Sequence, residues 1–371
     1  MPDYASCLTQ LPVDILGFIA RIFVFAAPQV RAVHSWSYTQ AVKVHLLTLI
    51  AKYAAYLNLK TAMSLEPGKE GKRFIVAKPA SDKVYDGPTR DNIIRPGPVG
   101  LTWYPSVPTT ATLTSSSVVA LNLHGGAYAM FTGRDADSGF AAKILHSHLG
   151  CSFVCSPSYR VSTSKGDHFP AALQDAITAY LHLVKEMRIP PSQIVLSGDS
   201  AGANLALALL RYIDEYGGVH DIPLLIAATL WSPWVDINDA LVSRVESKAN
   251  SPTDYLSTAF VQWGASMYTK NGAIDPTQPY ISPLLHPFSL RRGKVPVWIH
   301  AGDREVLLDD IVQMAKKLEL AGWPVKLHVS PGCPHDVFLC GDALGFEVEA
   351  AGAAKEAKNH LRTVTKLQFS G

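Results

Sequence analysis

The chain has 371 residues, 48% of them hydrophobic and 17% charged, so it can bury a large core and is too apolar to be disordered overall. Its length fits one α/β domain carrying an appendage, and a formal charge of +2 leaves no basic footprint for nucleic acid, which also excludes a DNA-tracking protein. The five cysteines (Cys7, Cys151, Cys155, Cys333, Cys340) are too few for a disulfide scaffold and wrongly spaced for a zinc knuckle, so buried, reduced thiols are expected.

From the N-terminus, Met1 to Leu11 carries no Lys or Arg and does not read as a secretory signal; a cytoplasmic location is the default. Ile15 to Ala27 is apolar except for Arg21, and is too short for a spanning helix. Ala41 to Met63 shows apolar residues at helical spacing, interrupted by Lys43, Lys52 and Lys60. Two helices packed on the main body are the expected outcome, with a shallow membrane contact as the sharper alternative. Glu66 to Pro108, rich in Pro and Gly, reads as loops and short edge strands.

After Ser117 strands alternate with helices. Strands are expected at 118–123, 151–155, 193–197, 224–230, 295–300 and 325–329, and helices at 138–149, 171–188 and 201–216. Such alternation predicts a mostly parallel, doubly wound sheet whose chemistry sits at the carboxyl ends of its strands.

One of those ends carries Gly198-Asp199-Ser200-Ala201-Gly202. Alone, G-x-S-x-G is a weak match, but here it follows an apolar strand and opens a helix, the setting that lifts a serine hydroxyl above a sheet on a strained turn. An earlier strand end carries His124-Gly125-Gly126-Ala127, whose backbone N–H groups at Gly125 and Gly126, with that of Ala201, would form an oxyanion hole. A base is expected later in the chain. His335, in a loop after the last strand, fits that place, whereas His146 and His148 fall on a helix and His300 reads as a core histidine. The third member is an acid after the strand at 295–300, and Asp303 and Glu305 both qualify.

Together these residues resemble the hormone-sensitive-lipase-like branch of the α/β-hydrolases. The resemblance runs from Val118 to His335 and includes Tyr159-Arg160, Phe169-Pro170-Ala171-Ala172, Ser232-Pro233-Trp234-Val235-Asp236, Ile281-Ser282-Pro283-Leu284 and Glu305-Val306-Leu307-Leu308-Asp309. It implies an α/β-hydrolase fold with a mainly helical cap. Residues 1–65 would supply cap helices, and 66–371 a catalytic domain with a cap insertion at about 238–280. It also selects the acid, because the family's acid-x-Leu-x-Asp pattern begins here on Glu305; Asp303 stays as the alternative. A third Gly is common after the family's HGG, and this chain has Ala127 instead.

The expectation is therefore a carboxylic ester hydrolase that uses Ser200, His335 and Glu305 on a small, apolar ester, with no metal or organic cofactor. Acyl transfer, or cleavage of an amide or thioester, would use the same residues. A non-catalytic small-molecule receptor on this fold is the reading from another class, and it is the weaker one because nucleophile and base are both present.

Overall fold

The computed structural model describes residues 4–59, 61–162, 167–288 and 291–369, so that Lys60 and the terminal Ser370 and Gly371 lie outside it. The apolar runs become β1 (Phe74–Ala77), β2 (Val99–Tyr104), β3 (Val119–Leu123), β4 (Phe153–Ser158), β5 (Ile194–Asp199), β6 (Ala227–Trp231), β7 (Val297–Gly302) and β8 (Val325–Ser330). They form one sheet in the order β1-β2-β4-β3-β5-β6-β7-β8. From β4 through β8 every neighbouring pair is parallel; β2 alone is reversed, antiparallel to both β1 and β4. All residues of β3 and β5 are buried, as continuous apolar strands covered on both faces require.

The helices are α1 (Tyr4–Val24), α2 (Tyr38–Tyr56), α3 (Asp135–Ile144), α4 (Ala171–Leu181), α5 (Ala201–Tyr216), α6 (Ile237–Val242), α7 (Thr258–Tyr268), α8 (Leu308–Leu320), α9 (Val337–Leu344) and α10 (Glu347–Val364). Helix α3 packs with α9 and α10, and α4 with α5. Between β6 and β7, α6 and α7 pack together, and α7 meets α2 across the chain. Helix α1 rests on α2 and leaves much of its apolar surface bare: Leu16 is 67% and Phe23 74% exposed.

Three expectations are revised. The 66–108 region does not hold only edge strands, since β2 lies inside the sheet with Leu101 and Trp103 fully buried. Gly100 permits this, because a Cβ there would lie 2.4 Å from the Phe74 ring of β1. The second N-terminal helix starts earlier than Ala41, at a capping box formed by Ser37 and Gln40, and ends by Asn58, whose φ is 50°. The helices expected to reach 149 and 188 both finish in a wide π turn, at 145–149 and 182–186.

Candidate active site

Ser200 occupies the turn between β5 and α5 with φ 50° and ψ −116°, a conformation costing about 1–3 kcal/mol that surrounding structure must enforce. The two flanking glycines are required by space. A Cβ at Gly198 would sit 2.5 Å from the Gly202 carbonyl, and one at Gly202 would sit 2.0 Å from the Leu123 carbonyl. The Ser200 N–H donates to the Trp231 carbonyl at 2.8 Å, which ties the turn to the end of β6.

His335 follows β8, and its Nε2 lies 2.9 Å from Ser200 Oγ. Its Nδ1 lies 2.7 Å from Glu305 Oε2. Glu305, in the loop after β7, is fully buried, and its Oε1 accepts from the Gly302 N–H at 2.7 Å and from the Ser232 hydroxyl at 3.2 Å. Burial pushes its carboxyl up to about 8, against the pull of those two donors. Asp303 does not reach His335: it accepts from the Gly332 N–H at 2.6 Å and holds the loop before the histidine. Ser232 also accepts from the Asp336 N–H at 3.1 Å, so one hydroxyl links the acid to the residue after the base.

The glycine loop differs from expectation at one position. The Gly125 N–H donates to Asp199 Oδ2 at 2.6 Å, so it is committed inside the protein and is not free for an oxyanion. The cause is proximity: a Cβ on Gly125 would lie 2.3 Å from that same oxygen. Among the described residues, the N–H groups of Gly126, Ala127 and Ala201 have no acceptor. Ala127, which stands where the family commonly has a third Gly, holds φ 55° next to Gly126 at 99°. His124 is buried against Tyr159 with ring centroids 4.1 Å apart, and burial lowers it to about 4, so it is a neutral structural imidazole. His300 is likewise buried, between Trp231 and Trp298, with Nε2 2.9 Å from Ser330 Oγ. Among the described residues no group of His, Cys, Asp or Glu is placed to hold a metal ion.

Three buried carboxyls that sequence reasoning passed over also crowd this site. Burial, reinforced by the neighbouring Asp336 carboxyl, pushes Asp199 well above the usual carboxylate range. Burial raises Asp336 to about 6, although His335 opposes it. Both flank singled-out residues, at Ser200 −1 and His335 +1, and that adjacency was the available signal. The third is Asp254, between α6 and α7. It lines a cavity of about 540 Å³ together with Phe25, Trp36, Val44, His45 and Pro252.

A family model described as the alpha/beta hydrolase fold matches residues 120–339, more than half of the chain. The chain belongs to the α/β-hydrolase family. This α/β-hydrolase is 34% identical over 215 residues to an acetyl-hydrolase of Streptomyces hygroscopicus, covering 58% of this chain and 66% of that one. It is 30% identical over 250 residues to the esterase LipU of Mycobacterium tuberculosis, covering 66% and 77%. The chain spans just under two thirds of the length of the first curated relatives it matches. In fold it is similar to an esterase from the bacterial hormone-sensitive lipase family, with TM-score 0.59 and 22% identity over 94% of this α/β-hydrolase and 98% of the other.

Proposed function

We propose that this α/β-hydrolase cleaves carboxylic esters through an acyl-serine intermediate. The observation that carries the reading is the unbroken hydrogen-bond chain from Ser200 Oγ through His335 to Glu305. Ser200 attacks the ester carbonyl as His335 Nε2 takes its proton, and Glu305 orients the ring and stabilises the imidazolium. The oxyanion is met by the N–H groups of Gly126 and Ala201, with Ala127 taking the part first expected of Gly125. Loss of one such donor costs about 10²–10³ in rate. His335 then protonates the departing alcohol, and water repeats the cycle on the acyl group. The esterase and acetyl-hydrolase names of the relatives support this substrate class.

In this reading residues 1–65 and the 238–280 insertion form a cap over the catalytic unit of 66–371. The bare apolar face of α1 makes peripheral contact with a lipid surface. No described helix is long and apolar enough to cross a membrane, so the contact would lie in the interface.

The test is hydrolysis of p-nitrophenyl esters from acetate to long acyl chains, by wild type and Ser200→Ala, with a fluorophosphonate to label the serine. Turnover by wild type, abolished with labelling in Ser200→Ala, is expected. An inert wild type, or a fully active Ser200→Ala, would overturn the reading.

A further inference from the structure

The loops that present Glu305 and His335 follow neighbouring strands and are joined by the Asp303 N–H to the Ser330 carbonyl at 3.0 Å, the Arg304 N–H to the Cys333 carbonyl at 3.0 Å and the Gly332 N–H to Asp303 Oδ1 at 2.6 Å, but none of these three bonds involves Glu305 or His335. A short segment between α6 and α7 reaches across and grips both. Asp254, 4% exposed, accepts the His335 N–H on Oδ1 at 3.3 Å and the Val306 N–H on Oδ2 at 2.7 Å. Oδ1 also takes the N–H of Tyr255 at 2.7 Å, and the Tyr255 ring lies against the His335 imidazole with centroids 5.7 Å apart. Four residues earlier, the Asn250 side-chain amide donates to the carbonyls of Asp303 at 3.2 Å and Glu305 at 2.9 Å. One segment thus holds the acid's loop through its carbonyls and an N–H, and the base through its own N–H.

We propose that Asp254 is a positioning residue for the reaction, its two carboxylate oxygens setting the backbone of His335 against that of the Glu305 loop, and hence the reach of His335 to Ser200. A carboxylate is the side chain this role demands, because both of its oxygens accept, whereas asparagine would turn an NH₂ group towards one set of N–H donors. The cost of burying it without a cation is real: burial raises Asp254 to about 6, and His335 and the Val306 and Tyr255 N–H groups only partly offset this. The same carboxylate forms part of the wall of the 540 Å³ cavity beneath α1 and α2, so the grip on the triad loops comes from the segment that faces the cavity. The site's geometry is in this sense set from the 238–280 insertion as much as from the sheet.

This inference rests on the esterase reading only for its substrate, and the experiment separates the two. Asp254→Asn, Asp254→Ala and Asn250→Ala are compared with wild type on p-nitrophenyl acetate, a short ester, with rates normalised to the sites titrated by a fluorophosphonate. Asp254→Asn is expected to lower kcat per titrated site by about 10²-fold, the scale of a misplaced catalytic group, with KM within about twofold. The phosphonylation rate should fall in parallel, and Asn250→Ala, which spares the carboxylate, should lose about tenfold and remain informative if the Asp254 variants do not fold. Unchanged kcat per titrated site with a lower melting temperature would assign the residues to stability alone and overturn the proposal. A raised KM at unchanged kcat would make Asp254 a pocket wall and overturn it too. If wild type is phosphonylated yet inert on esters, the esterase reading fails while phosphonylation rates still test Asp254.

Discussion

Two acids stand two residues apart after β7, and one oxygen's placement separates their roles. Glu305 contacts His335 Nδ1, whereas Asp303 contacts the Gly332 N–H. Glu305→Gln should lower kcat by about 10²–10⁴-fold, because an amide stabilises imidazolium poorly and offers a donor where an acceptor is needed. Asp303→Asn keeps an acceptor for Gly332 and should retain activity within about threefold. Steady-state rates of the two variants on one ester check this, and equal losses would mean the acid is wrongly assigned. The Ser200 turn and His335 were legible in the sequence because each is enforced locally, by flanking glycines and by place after a strand. The choice between Asp303 and Glu305 was not readable from residue chemistry, since both are carboxylates in one loop and only the resemblance separated them. The Gly125 N–H was misjudged for a related reason: a motif shows which amides are nearby, and only coordinates show that Asp199 has claimed one.

Among the helices, α1 is the least accounted for by packing. Its described acid, Asp14, is turned inward to Lys52 and to the Tyr53 hydroxyl at 2.7 Å, while Arg21 and Lys43 of α2 stay exposed. The pair of helices therefore offers an apolar surface beside cations, the combination an anionic lipid interface attracts. Replacing Leu16 and Phe23 together with Ser should weaken sedimentation with vesicles of phosphatidylcholine and phosphatidylserine by about 10²-fold, at about 1.5 kcal/mol or more for each side chain. Turnover of a short soluble ester should not change. Wild type that ignores such vesicles, or a double variant that binds them equally, would end the lipid reading. The apolar run itself was plain in the sequence; its bareness was not, because a 13-residue apolar stretch is commonly covered by protein. Strand β2 shows the opposite failure. Gly and Pro around it suggested an edge, yet Gly100 is there to let two strands approach around the Phe74 ring.

For the molecule as a whole, burying so many carboxyls beside one histidine gives stability a pH dependence of unusual sign. Asp199, Asp254, Glu305 and Asp336 are each 4% exposed or less, and burial raises all four, Glu305 to about 8, Asp254 and Asp336 to about 6, and Asp199 well above its ordinary value. Above about pH 4 the unfolded chain has released these protons and the folded one has not, so their contribution to stability declines as pH rises towards each folded pKa. Two buried histidines and the half-buried His45 act the other way. Burial lowers His45 and His124 to about 4 and His300 to about 3, so the unfolded chain binds more protons and stability gains with pH until about 6.5, the ordinary histidine value. The two groups oppose each other up to that point. Beyond it the histidines of the unfolded chain are neutral, and Glu305, raised to about 8, is left, worth about 1.4 kcal/mol per pH unit until it ionises. The melting temperature should therefore fall between about pH 6.5 and 8. In Glu305→Gln the fall should be shallower, since that proton no longer distinguishes the states. A wild-type melting temperature that holds level or climbs across this range, or a Glu305→Gln profile parallel to wild type, would contradict the argument.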